Sequence, residues 1–180
     1  MMPDQPVLRT KRLLLRPFTL ADAPQVQRLA GASEVADTTL NVPHPYADGM
    51  AESWIAGHAD QFLYRTGVVY AITRHEEDGL CGCVGLGITS PHSQAELGYW
   101  LGVPFWGRGY ATEAAAALVD YGFRGLILHK ITASHFARNP ASGRVMQKIG
   151  MMREGLLRAH VLKDGAYEDL VVYGLVRGDL

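Results

Sequence analysis

Glu96-Leu97-Gly98-Tyr99-Trp100-Leu101-Gly102-Val103-Pro104-Phe105-Trp106-Gly107-Arg108-Gly109-Tyr110-Ala111-Thr112-Glu113 runs from an apolar, strand-like segment through a glycine-bearing loop into an alanine-rich helix. That order makes an anion site. The first turn of a helix leaves backbone N–H groups without intrahelical partners, and the aligned peptide dipoles put partial positive charge there. Gly107 and Gly109 permit backbone conformations closed to other residues and a close approach to a ligand, while Arg108 adds a formal charge. A phosphate is held this way without a metal. A plain strand-to-helix turn explains two glycines equally well, because a short Gly-x-Gly is a weak signal.

Working outward, the 180 residues read as one domain, 1–180, long enough to bury roughly 70% of the surface of the unfolded chain without disulfides. Cys81 and Cys83 stand two apart in an expected strand. Their side chains are expected on one face, too local for a structural bridge, and therefore as reduced thiols. A formal charge of −1 with interspersed signs gives no basic stripe for nucleic acid. No apolar run reaches the length of a membrane span and no signal peptide precedes Arg9, Lys11 and Arg12, so the expected location is the cytoplasm, with no membrane contact.

The elements follow from periodicity and punctuation. Arg12 to Phe18 reads as a strand closed by Pro17, and Thr19 with Asp22 resembles a helix start leading through Val26 and Leu29 to Gly31. Ser33 to Gly49 reads as a loop. A helix is expected from Met50 to Tyr64, with Trp54 in the core. Val68 to Thr73 and Leu80 to Thr89 read as a hairpin about Glu76-Glu77-Asp78-Gly79, whose charges are those of a solvated turn. After the strand Ala95 to Leu101 and the helix Ala111 to Phe123 come a strand, Lys130 to Phe136, and a helix with Asn139 as cap and Pro140 first, ended by Gly150. Arg158 to Leu162 and Tyr167 to Val176 flank the hairpin pair Asp164-Gly165.

Other chemistries lack their residues. Gly102 and Gly107 have P-loop spacing, but Arg108 and Gly109 replace the Lys and Ser/Thr that reach phosphate and magnesium. The third glycine of a dinucleotide fingerprint is missing, and no ribose-binding acid follows near His129 and Lys130. There is no Gly-x-Ser-x-Gly elbow, His-Glu-x-x-His or Cys-x-x-Cys, and the histidines are scattered, so no metal site is expected.

Several ordered motifs together resemble the GNAT N-acetyltransferases of the RimJ/RimL branch: Arg12-Leu13-Leu14-Leu15-Arg16-Pro17, Glu96 to Leu101, Trp106 to Ala114, Asn139-x-x-Ser142 leading to Lys148-Ile149-Gly150-Met151, and Asp164-Gly165. Trp106 stands where the superfamily usually has Gln or Arg, as is common in this branch, and Met151 where Phe is usual. The resemblance implies an α/β fold with a mixed, mostly antiparallel twisted sheet of about seven strands, splayed at the centre and flanked by helices. It implies acetyl-CoA as co-substrate, with pantetheine beside Leu101 and Val103 and near Asn139. Pyrophosphate then rests on the amides from Gly107 through Arg108, Gly109, Tyr110 and Ala111 to Thr112, with Trp106 also among the cofactor-binding residues.

The implied reaction is attack of a neutral primary amine on the thioester, for which positioning supplies much of the rate. Glu96, at the acceptor entrance, is the candidate base; an edge carboxylate paired to an arginine is the alternative. Ser142 is the candidate donor to the departing thiolate, as a hydrogen bond rather than a true acid; the alternative is a polar first-turn residue. Asn139 fits a helix cap as well as a pantetheine contact. The expected acceptor is a protein N-terminus, with a small amine such as a polyamine, amino sugar or amino acid, or a non-catalytic acyl-CoA-binding module, as alternatives. The expected protein is a monomer or homodimer.

Overall fold

The structure is a computed structural model that describes residues 4–75 and 77–179, with the backbone alone at 77 and 78. Eight strands form one sheet: β1 Leu8–Arg9, β2 Leu13–Arg16, β3 Gly67–Arg74, β4 Glu77–Thr89, β5 Gln94–Leu101, β6 Lys130–Phe136, β7 Met152–Lys163 and β8 Ala166–Val176. Their order is β1-β2-β3-β4-β5-β6-β8-β7. The helices are α1 Ala23–Ala30, α2 Ser33–Asp37, α3 Met50–Ala56, α4 His58–Leu63, α5 Tyr110–Arg124 and α6 Pro140–Lys148. The sheet has one strand more than the approximate seven, because the short β1 pairs with β2 ahead of the expected first strand.

Burial follows the alternation of the strands. Leu13, Leu15, Tyr70, Ile72, Val84, Leu86, Ala95 and Leu97 pack with Ala114, Ala115, Leu118 and Phe123 of α5. On the other face Ala71 and Leu80 pack with α1 and α3 through Val26, Leu29, Ala51 and Ile55. All neighbouring strands are antiparallel except β5 and β6. That parallel pair has rungs only at Gln94, Ala95 and Glu96, opposite Lys130, Ile131 and Thr132. Beyond Glu96 the two strands diverge, and the sheet splits at its centre.

Several expectations are corrected. Met50 to Tyr64 is two helices broken at Gly57, the weakest helix former in the run. The expected loop contains α2, whose buried Val35 and Ala36 are too few to show a period. The β3–β4 turn is tighter than Glu76 to Gly79: Glu77 already begins β4, and Glu76 lies outside the described residues. Cys81 and Cys83 do not share a face. Ile72 pairs with Gly82 and Thr73 with Leu80, so a bulge sends Cys81 into the α5-side core while Cys83 faces the other way. Both are buried, and neither is in a disulfide. The strand expected at Arg158 to Leu162 is the longer β7, an edge strand exposed along most of its length and therefore without an apolar alternation to read. Asp164 and Gly165, at φ 48 and 84, make the expected hairpin turn.

Candidate active site

The glycine loop has the backbone its composition requires. Gly107 and Gly109 sit at φ 73 and 78, where a side chain is strained, and α5 begins at the next residue with Glu113 N–H donating to Gly109 O at 3.0 Å. The rest of the loop is held from both sides. Trp106 Nε1–H donates to Leu101 O at 2.7 Å, tying the loop back to β5. Arg12, entering β2, donates through Nη1 to Arg108 O at 2.9 Å and through Nε to Glu113 Oε2 at 2.7 Å, with its guanidinium 4.8 Å from the Tyr110 ring centroid. Thr10 Oγ1 and the Arg12 amide both donate to Glu113 Oε1, at 2.6 and 2.8 Å. Burial alone would raise the Glu113 pKa, but these hydrogen bonds and the Arg12 charge outweigh it and hold the carboxyl below its ordinary value. The clamp satisfies the loop from outside and leaves the first-turn amides of α5 facing the split.

Two cavities open into that split. The first, about 440 Å³, is lined by Trp106, Gly107, Gly109, Tyr110, Ala111 and Thr112, by Leu101, and by Asn139, Arg144 and Lys148 across the gap. Arg144 and Lys148 lie one turn apart on α6, two cations facing the helix start. Val103 and Arg108 are exposed and do not line it, and the Arg108 carbonyl is held by Arg12 on the outer side of the loop. The second cavity, about 560 Å³, is a trench over the other face of the sheet. Its floor includes Gly85 paired with Gly98 and Gly67 paired with Gly87, so backbone replaces side chains there. A Cβ at Gly87 or Gly98 would meet nothing within 4 Å.

Glu96 and Ser142 both line the trench. Glu96 is exposed and accepts from Ser134 Oγ at 3.2 Å, and among the described residues no Arg or Lys lines the cavity, so the arginine-paired alternative finds no support there. Thr38, Thr39, Tyr99, Trp100 and Ser142 line both cavities and mark where they meet. Tyr99 Oη lies 2.8 Å from Ser142 Oγ, where either oxygen can be the donor, and 3.0 Å from the Ser142 carbonyl oxygen, which only accepts. Burial pushes the Tyr99 phenol up to about 12.

Asn139 occupies the cap position of α6 without capping through its side chain. Its amide Nδ2 instead lies 3.5 Å from Thr38 O, and Ser142 N–H takes the Asn139 carbonyl at 3.3 Å. Thr38 competes for that side chain because the segment after α2 is drawn against α6. Arg138 grips Asp37 at Oδ2 and at the carbonyl, 3.0 and 2.8 Å, and Glu168 at 2.7 Å; Lys163 Nζ reaches Val42 O at 3.2 Å.

A family model described as an acetyltransferase (GNAT) domain matches residues 12–152. The chain belongs to the GNAT acetyltransferases. It is an acetyl-CoA-dependent N-acetyltransferase acting on an amine acceptor, with ribosomal-protein N-acetyltransferases among its relatives. It is 32% identical to the uncharacterized N-acetyltransferase YoaA of Bacillus subtilis across 96% of this chain and 97% of that protein. It is also 32% identical to N-acetyltransferase p20 of Bacillus licheniformis, across 94% and 96%. A GNAT-family acetyltransferase from Bacillus anthracis superposes with a TM-score of 0.84 at 24% identity, covering 96% of this chain and 99% of that one.

The structure brings Trp106, Gly107, Gly109 to Thr112 and Ser142 to the cavity walls and adds Arg144, together with Tyr99 and Lys148, which stand within the sequence motifs without an assigned role. The basic pair at helical spacing after Asn139 was the available signal. Nothing local marks Tyr99, because its partner comes from another element. Among the described residues no three His, Cys, Asp or Glu side chains gather as a metal site, and no helix is long and apolar enough to cross a membrane.

Proposed function

We propose that the chain, acting as one acetyltransferase domain, acetylates the α-amine of a protein or peptide N-terminus by direct attack in a ternary complex. The observation that carries this reading is the charge of the trench. Glu96 is its one carboxylate among the described lining residues, with no Arg or Lys, and the remaining polar groups include the uncharged Thr38, Thr39, Asn41, Gln61 and Thr66. A peptide N-terminus presents one ammonium followed by neutral amides, which matches. A polyamine calls for several carboxylates, and a free amino acid for a cation to meet its own carboxylate. One relative and one fold neighbour bear names of the same kind. One is the [ribosomal protein uS5]-alanine N-acetyltransferase of Escherichia coli, 32% identical over 46% of this chain. The other is RimL, the ribosomal L7/L12 alpha-N-protein acetyltransferase, a fold neighbour at TM-score 0.87 and 18% identity. With an acceptor of that kind, we infer a reaction in the cytoplasm.

In this reading acetyl-CoA rests its pyrophosphate on the Gly107 to Thr112 amides, opposite Arg144 and Lys148, and runs its pantetheine along β5 toward Asn139. Glu96 takes the amine proton directly or through water, and Ser142 gives a hydrogen bond to the sulfur as charge develops there. An α-amine, with a pKa of about 8, is partly neutral at cellular pH and asks little of its base. Release of CoA-SH from a panel of N-terminal peptides and small amines tests the acceptor class. Preferential turnover of peptides supports the proposal, and turnover confined to polyamines, amino sugars or amino acids overturns it. Glu96→Gln is expected to lower kcat about tenfold with acetyl-CoA affinity unchanged, and to lose most at low pH where the amine is protonated.

A further inference from the structure

Tyr99 and Ser142 share more hydrogen-bond acceptors than Tyr99 has protons. Its hydroxyl lies within bonding distance of both Ser142 Oγ, at 2.8 Å, and the Ser142 carbonyl oxygen, at 3.0 Å, yet a phenol donates only once. The buried ring keeps that proton throughout the neutral range. Two arrangements therefore satisfy the same heavy-atom geometry. In one, Tyr99 donates to the carbonyl and accepts from Ser142 Oγ–H, so that the serine proton is committed inside the protein. In the other, Tyr99 donates to Ser142 Oγ and the serine proton is free to point into the split. The carbonyl has a second source of donors, because Ser142 lies in the first turn of α6 and the following turn supplies an amide. The arrangements differ by rotation about two C–O bonds, and no heavy atom moves.

We propose that Tyr99 is the positioning residue that turns the Ser142 hydroxyl toward the thioester sulfur, donating its own proton to Ser142 Oγ as negative charge develops on that sulfur. This rests on the reading above in which Ser142 faces the sulfur. Neither oxygen gives up its proton. The departing thiolate receives a hydrogen bond from Ser142 and later a proton from solvent. A serine that accepts from a phenol is the stronger donor, because chained hydrogen bonds polarise one another. The location agrees: both side chains line both cavities, where acyl donor and acceptor must meet.

The test needs no acceptor. The thiol of bound coenzyme A is titrated by its thiolate ultraviolet absorbance in the wild type, Tyr99→Phe, Ser142→Ala and the double variant, with thermal melts and coenzyme A affinities measured below the titration. Each single variant is expected to raise the bound thiol pKa by about one unit, a tenfold change in ionisation constant, and the double variant to raise it no further. A Tyr99 that merely holds α6 against β5 would change the melts and leave the thiol alone. Tyr99→Phe with the wild-type thiol pKa, or a double variant shifted by the sum of the two, overturns the proposal; so does a Ser142→Ala protein with an unshifted thiol. Tyr99→Leu gives the same reading should the phenylalanine variant not fold. The peptide and amine panel is independent of this titration, so failure of the acceptor assignment and failure of the Tyr99 assignment are seen separately.

Discussion

The two cavities that meet at Tyr99 and Ser142 are built from different materials. The loop-side cavity is made of main chain at a helix start, clamped from behind by Arg12 and faced by two exposed cations of α6. The trench has a glycine floor, a single carboxylate among the described residues, and walls contributed by segments far apart in the chain, from Thr38 to Leu170. The difference reflects what each side must hold. A phosphate is the same in every turnover and suits fixed amides and a helix dipole, whereas an acceptor is recognised by the shape and polarity of side chains around it.

The largest effect that separates the two halves is expected behind the trench wall. Trp54 lines the trench, and His58 packs on it with ring centroids 4.4 Å apart while Phe18 lies 5.5 Å from the imidazole. His58 is 5% exposed, and neither ring nitrogen has a hydrogen-bond partner among the described residues. Burial lowers its pKa from 6.5 to about 4. The unfolded imidazole therefore binds a proton from pH 6.5 downward while the folded one does not until about pH 4. Stability is full above pH 6.5 and falls through that window by about 3 kcal/mol. Urea unfolding against pH is expected to show that slope in the wild type and a flatter one in His58→Leu, and parallel curves would remove His58 as its source. Asp22 contributes on the acid side of this window. Burial alone would raise its pKa, but its bonds with Arg16 and Thr19 hold it below the ordinary value.

On the loop side, Gly109→Val places a β-branched residue at φ 78, with its Cβ 3.4 Å from Arg12 Nη2. The dissociation constant for acetyl-CoA is expected to rise at least tenfold, about 1.4 kcal/mol, with acceptor KM unchanged. Normal calorimetric binding by a folded variant would put the phosphate site elsewhere. Arg144→Ala and Lys148→Ala are smaller perturbations because both cations are exposed. Each is expected to weaken acetyl-CoA about threefold at low salt, with the difference fading at high salt; an effect on acceptor KM instead would break the division between the cavities. Smallest is Gly98→Ala, which adds a methyl group to the open trench floor. Acceptor KM is expected to rise about twofold with acetyl-CoA affinity and melting temperature unchanged.

The elements that could be read in advance are those whose cause is local. The Asp164-Gly165 turn and the positive-φ glycines at 107 and 109 each follow from conformational preferences within a few residues. The single helix expected at Met50 to Tyr64 failed at Gly57, where local periodicity continues but the chain turns to place His58 against Trp54. The shared face expected for Cys81 and Cys83 failed because a bulge is a property of two paired strands and not of one.

By itself the sequence determined the glycine loop, the helix that follows it and the ordered motifs of the acetyltransferase family, since these are set by backbone φ preference and spacing along the chain. Only the tertiary structure decided that Arg12 clamps Glu113, 101 positions away, that Arg138 grips Asp37 at the same separation, and that Tyr99 meets Ser142. Such contacts depend on strand register and on how α5 and α6 sit against a sheet that parts beyond Glu96. No local preference encodes them, because each arises where two separately formed elements are brought within hydrogen-bond reach.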